Sequence, residues 1–180
     1  MGMPMYSYEV QPRSRDDLIG AAEALRESLR IPAPWFPILH VVEILIPQVD
    51  PDFNFEIKEL GELGDQHGLT MPASKEMWIR EDVYDGARNG LGRDRFTIAH
   101  ELGHYLLHNE PGLARTLKPR GTFPTYRCSE WQANSFAGAL LIPTDVARSL
   151  RDPHRIAETC GVSLDAATVQ LNVLQRKGLM

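Results

Sequence analysis

The sequence predicts an α+β fold, with helices first, then a small sheet, then helices again. Three observations carry this reading. A segment with helical spacing of apolar residues opens the chain, a segment alternating with period two follows, and two long helix-like stretches, RFTIAHELGHYLLH and SEWQANSFAGALLI, come after it. At 180 residues the chain suits one packed domain better than two. We divide it into N-terminal helices over 14–50, a small, mainly antiparallel sheet and a loop over 51–93, histidine-bearing helices over 94–143, and C-terminal helices over 144–180.

Each element has a local cause. Ser14 to Arg30 reads as an amphipathic helix: Ser14 and Asp17 have capping-box form, and Leu18, Ala22, Leu25 and Leu29 share a face. IPAPWFP is a proline-rich break, after which Pro37 suits the first turn of a short apolar helix, ILHVVEILI, ended by Pro47. In FNFEIKEL, Phe53, Phe55 and Ile57 alternate with Asn54, Glu56 and Lys58, the pattern of a half-buried strand. GELGDQHG is turn-like, and GLTMP and EMWIRE read as further short strands. DGARNGLGRD, rich in glycine and charge, reads as a loop. A helix from about Asp94 to His108 is stopped by NEPG, and residues 110–126 form a second loop. SEWQANSFAGALLI is another helix, with Ser129 as its cap and Pro143 beyond its end. Two or three short helices, separated near Asp152–Pro153 and Gly161, finish the chain.

Composition narrows the function classes. An apolar fraction of 43% with 24% charged residues belongs to a globular chain, not a disordered one. A formal charge of −5 argues against a surface built for nucleic acid. The apolar runs ILHVVEILIP and FAGALLIP are too short or interrupted to cross a bilayer, and MGMPMYSYEV has no basic segment leading into an apolar core. Two cysteines, Cys128 and Cys160, make no disulfide framework, so we expect reduced thiols and a cytoplasmic protein without membrane partners.

The chemistry concentrates in RFTIAHELGHYLLH. Helix positions four apart lie on one face about 6 Å apart along the axis, so His100 and His104 can aim both imidazoles at one point. Glu101 projects about 100° from His100, at the edge of the same pocket, where it misses the ion yet reaches water beside it. That is the logic of H-E-x-x-H: two ligands and one base. Leu102 and Leu106 can anchor the opposite side, and Gly103 leaves room beside the site. Imidazole and carboxylate donors favour Zn²⁺, although Mn²⁺ or another divalent ion can use the same set. His108 lies about 12 Å from His100 along a straight helix, too far to share an ion with it. We read it as a helix-terminal residue that meets the C-terminal dipole or hydrogen-bonds nearby.

A catalytic zinc takes three protein ligands. Glu130 is the next candidate, with Asn134 four residues later on the same helical face, placed to contact a ligand histidine from behind. Spacing alone leaves Glu130 either a ligand or an ordinary surface carboxylate. Phe136, Ala137, Leu140 and Leu141 bury the rest of that helix. Cys128 is either within reach of the metal or a plain thiol.

RFTIAHELGHYLLH, followed by E-x-x-A-N-x-F-A and LLIP, resembles the ImmA/IrrE zinc metallopeptidases of bacteria and their mobile elements. The resemblance runs from about Met77 to Pro143 and is most specific over 95–108 and 130–143. It implies a zincin-like, gluzincin-type fold, zinc held by His100, His104 and Glu130, and Glu101 as general base. Related gluzincins often carry Asp at the Asn134 position. Metzincins take a third histidine after a glycine turn, but here Leu107 and Glu110 stand at those two places. The resemblance also implies a substrate class: helix-turn-helix repressors or antitoxins, often encoded nearby, whose cleavage regulates gene expression.

On this reading Glu101 takes a proton from water and passes it to the leaving amine, while the peptide adds as a strand to an exposed sheet edge, for which EMWIRE is our candidate. Tyr105, Tyr126 and His67 are open as oxyanion donors. Two alternatives stand beside it. A toxin-like or regulatory protein would use the zinc site to bind a repressor without routine proteolysis. A DNA-binding module would use RIAETCGVSLDAATVQLNVLQRKG, but its second helix presents Leu164, Asp165, Thr168 and Gln170, with no Arg or Lys until Arg176, which argues against direct DNA binding.

Overall fold

In the computed structural model, which describes residues 6–32, 34–109 and 116–179, the chain begins with a short strand, β1 (Tyr6–Glu9). The capping box at Ser14 and Asp17 then starts α1 (Arg15–Ser28), which buries Leu18, Ile19 and Ala22. After the proline-rich break come α2 (Ile38–His40), a π-helical turn (Val41–Leu45) and α3 (Ile46–Val49). The helix therefore outlasts Pro47, contrary to expectation. Proline lacks an amide hydrogen and crowds the carbonyl four residues back; the wider π turn, in which the Ile46 N–H reaches the Val41 carbonyl, accommodates both.

A three-stranded sheet follows: β2 (Asn54–Lys58), β3 (Gly68–Met71) and β4 (Glu76–Arg80), in the order β2-β4-β3. β4 runs parallel to β2, Phe55 opposite Met77, and antiparallel to β3, Thr70 opposite Met77. The sheet is thus mixed rather than mainly antiparallel. EMWIRE is its central strand, which corrects the edge assignment: Met77 and Ile79 are fully buried, and β3 holds the edge. Phe53 is buried as its alternation requires, but Ile57, at the far end of the outer strand β2, is exposed.

The expected glycine-rich loop is helical at both ends: its first four residues belong to α4 (Glu81–Arg88), and its last three to the helix that follows. Glu81 and Asp82 in its first turn and Arg88 in its last complement the helix dipole, while Val83 and Ala87 bury one side. α5 (Gly92–Leu107) carries the histidines. Ile98, Ala99 and Leu102 anchor it in the core, whereas Leu106 is partly exposed. Beyond Asn109, the remainder of the NEPG stop lies outside the described residues. Part of the second expected loop is a strand, β5 (Thr116–Pro119), paired antiparallel with β1, Tyr8 opposite Leu117.

α6 (Ser129–Leu141) packs closely on α5. Its N-cap is Cys128, whose side chain makes no capping bond; Ser129, the expected cap, instead places its hydroxyl 3.0 Å from that of Ser7 in β1. A methyl at Gly103 would lie 3.2 Å from both Ala133 Cα and Phe136 Cδ1, so this glycine makes room for α6, not for the site. α7 (Thr144–Leu150), α8 (Pro153–Cys160) and α9 (Leu164–Arg176) complete the chain. Asp152 caps α8, and Gly161, at φ 64°, ends it in the left-handed conformation. Leu18, Phe36, Ile98, Leu102, Phe136 and Leu140 join these layers in one buried cluster. Among the described residues, no helix is long and apolar enough to cross a membrane.

Candidate metal centre

One turn of α5 sets His100 and His104 side by side, with their Nε2 atoms 3.0 Å apart. The first turn of α6 delivers Glu130 across from them: Oε1 is 3.3 Å from His104 Nε2, and Oε2 is 3.5 Å from His100 Nε2. All three side chains are largely but not wholly covered, with 15–21% of each exposed. Burial opposes ionisation of Glu130, but hydrogen bonding to His100 and His104 outweighs it and holds the carboxyl well below its ordinary range. Burial likewise opposes a charge on His100, yet Glu130, Glu101 and Asn134 together raise its pKa. The cluster has been built to attract positive charge.

The donor set fits a metal ion. The Nδ1 of His100 faces Asn134 Oδ1 at 2.9 Å; an amide oxygen only accepts, so the ring donates there and keeps its Nε2 lone pair for the cluster. Ligand atoms of His100, His104 and Glu130 lie within 4.8 Å of one another. Tetrahedral bonds of about 2.0–2.1 Å set donor atoms roughly 3.3 Å apart. The 3.0 Å between the two Nε2 atoms lies near that value, as do the 3.3 and 3.5 Å from them to the two different oxygens of Glu130.

Glu101, next to His100, is 7% exposed. Its Oε2 accepts from Thr70 Oγ1 of β3 at 2.7 Å, and among the described residues Oε1 carries no hydrogen bond. Gly68 of β3 lies against it so tightly that a methyl there would come 2.9 Å from Glu101 Cγ. The sheet edge thus packs on the acidic side chain, whose charge in turn acts on His100.

Other residues singled out by the sequence stand elsewhere. His108 caps α5 and is buried, with Nδ1 3.1 Å from Nδ1 of His104, on the side of that ring remote from Glu130. Cys128 donates from its thiol to Ser7 Oγ at 3.2 Å and is not part of the cluster. The Tyr105 hydroxyl is committed to Asp50 Oδ2 at 2.5 Å; burial and that carboxylate raise its pKa. Tyr126 is half exposed. His67 precedes β3 with one guanidinium at each ring nitrogen, Arg80 at 2.8 Å and Arg93 at 3.1 Å; burial and both cations lower its pKa. Gln170 is buried against Gly138 of α6, so α9 does not present it to a partner. Sequence reasoning passed over Thr70, Gly68 and Gln132. The first two become visible only when β3 is laid beside α5. Gln132 carries only its position as a signal, between Glu130 and Asn134; that its amide is fully buried is seen in the fold.

The profile of the IrrE N-terminal-like domain, peptidase M78, matches residues 62–172, a span that holds β3, β4, α5 and α6. None of the curated proteins matches the sequence significantly.

Proposed function

Since the chain belongs to the IrrE N-terminal-like family of M78 peptidases, we propose that it is a zinc-dependent endopeptidase that cleaves a helix-turn-helix repressor or antitoxin in the cytoplasm and so regulates gene expression. The fold on this reading is gluzincin-like. The observation that supports it best is the convergence of His100, His104 and Glu130 beside the buried carboxylate of Glu101.

His100, His104 and Glu130 hold the ion. The chemistry an ion supplies there is Lewis acidity, which polarises the scissile carbonyl and acidifies water towards neutrality. Glu101 does the proton work. Thr70 fixes Oε2, so Oε1 is the atom that accepts a proton from the attacking water and returns it to the leaving amine. The products are a carboxylate and an ammonium group, which together hold both protons of the water, and Glu101 ends ionised as it began. The outer edge of β3, which pairs with no strand among the described residues, offers backbone N–H and C=O groups to an extended peptide, passing it over Glu101 without demanding a particular sequence. The repressor class comes from the resemblance of 95–108 and 130–143 to the ImmA/IrrE peptidases.

The test is incubation of the purified chain with the product of a neighbouring repressor or antitoxin gene, with and without chelator. Cleavage should require metal, and Glu101→Gln should keep zinc while turnover falls by about 10²–10⁴-fold. Cleavage that survives both chelation and Glu101→Gln overturns the reading.

A further inference from the structure

The two ligand imidazoles are held from behind by different means. Asn134 meets Nδ1 of His100 directly. His104 is met by a second imidazole: its Nδ1 lies 3.1 Å from Nδ1 of His108, whose Nε2 lies 3.2 Å from Gln132 Oε1. Gln132 is fully buried, and its Nε2 donates to the backbone carbonyls of Gln11 at 2.7 Å and Tyr126 at 2.8 Å. Two carbonyls accept only, so the amide cannot be turned over, and Oε1 must face His108.

Hydrogen-bond polarity then runs one way. Oε1 only accepts, so His108 donates from Nε2. In its neutral form His108 has one N–H, so its Nδ1 then carries a lone pair and accepts from Nδ1–H of His104. The Nε2 of His104 is left with its lone pair, facing Nε2 of His100 and Glu130. We propose that His108 and Gln132 are positioning residues which fix His104 in the tautomer and ring orientation that a metal needs. The far end of this chain is rigid. Val10 N–H bonds the Arg127 carbonyl at 2.8 Å and Arg13 N–H bonds that of Tyr126 at 3.1 Å, stitching together the two segments that hold Gln132.

The inference rests on the reading of His104 as a metal ligand, and its test separates the two. Long-range proton–nitrogen correlation spectra of ¹⁵N-histidine-labelled protein show which nitrogen of each ring is protonated. In wild-type protein, metal-free and zinc-loaded, His104 should carry its proton on Nδ1 and His108 on Nε2. His108→Leu removes the acceptor; His104 should then populate both tautomers, and zinc should bind about 10–100-fold more weakly. His108→Asn places an amide oxygen where Nδ1 stood and should restore most of that affinity. An Nε2–H tautomer of His104 in metal-free wild type overturns the proposal, as does wild-type zinc affinity in a folded His108→Leu. If wild-type protein binds no zinc, the ligand reading falls, while the metal-free spectra still decide the hydrogen-bonded chain. If His108→Leu does not fold, the wild-type spectra and His108→Asn decide it.

Discussion

Thr70 Oγ1 lies 2.7 Å from Glu101 Oε2 and 3.1 Å from the Glu101 carbonyl oxygen, so one hydroxyl on the sheet edge meets both the side chain and the backbone of the candidate base. Thr70→Val keeps the shape and removes the hydroxyl. Peptidase turnover should fall by about tenfold to a hundredfold through loss of alignment. Zinc content, read by elemental analysis, should not change, because Thr70 touches no residue of the metal cluster.

Gly68→Ala probes the same contact from the other side. The new methyl would sit 2.9 Å from Glu101 Cγ and 2.9 Å from Ile79 Cδ1, and Ile79 is fully buried. Glu101 has to move. Activity should drop by about tenfold or more with circular dichroism unchanged; a fully active variant would show that the carboxylate tolerates displacement.

Removal of the third donor should abolish metal-linked stability. Zinc at about a hundred times its dissociation constant raises unfolding free energy by about 2.7 kcal/mol in a protein that binds it only when folded. Thermal melts with and without zinc should show that gain for wild type and little of it for Glu130→Ala.

Acid should weaken a contact that ties the residue after His104 to Asp50. The hydrogen bonds from Lys75, at 2.7 Å, and from Tyr105 hold Asp50 below its ordinary pKa of 3.8. A depressed carboxylate pKa contributes stability that is complete above the unfolded value and fades as pH falls through the native one. Asp50→Asn should therefore destabilise near neutral pH, and its deficit relative to wild type should shrink below about pH 4. A deficit that does not change with pH would count against the ionic contribution.

Arg95 is buried without a carboxylate partner among the described residues, and burial lowers its pKa to about 10. It bonds the carbonyls of Gly161 at 2.8 Å and Phe36 at 2.9 Å and stacks over Trp35 at 3.6 Å. Arg95→Leu leaves those carbonyls unpaired and should cost about 2–3 kcal/mol in urea unfolding. Arg95→Lys should recover only part, since an ammonium lacks the planar fork.

What was legible in the sequence was what depends on local spacing. The His100–His104 pair follows from four-residue periodicity, and the Ser14 capping box from residue type. The place of β4 was not legible, because strand order is decided by partners distant in the chain and not by the strand itself. α4 was hidden by Gly86 and its charges, which resemble loop composition even though Val83 and Ala87 mark a buried face. His108 shows the limit most clearly. The rise of about 12 Å that separates it from His100 keeps it out of the cluster, yet the same four-residue step sets it against the back of His104.

The glycines of α5 have a bearing on redesign. A methyl at Gly92 would fall 2.3 Å from the Val162 carbonyl carbon, and one at Gly103 would fall 3.2 Å from Ala133 Cα. The helix is closely packed at its tip by the α8–α9 turn and at its middle by α6. Attempts to retune selectivity by shifting this helix would meet backbone at both places, and the Phe136 ring at the second. Diversification has to come from β3 and the segments that flank it.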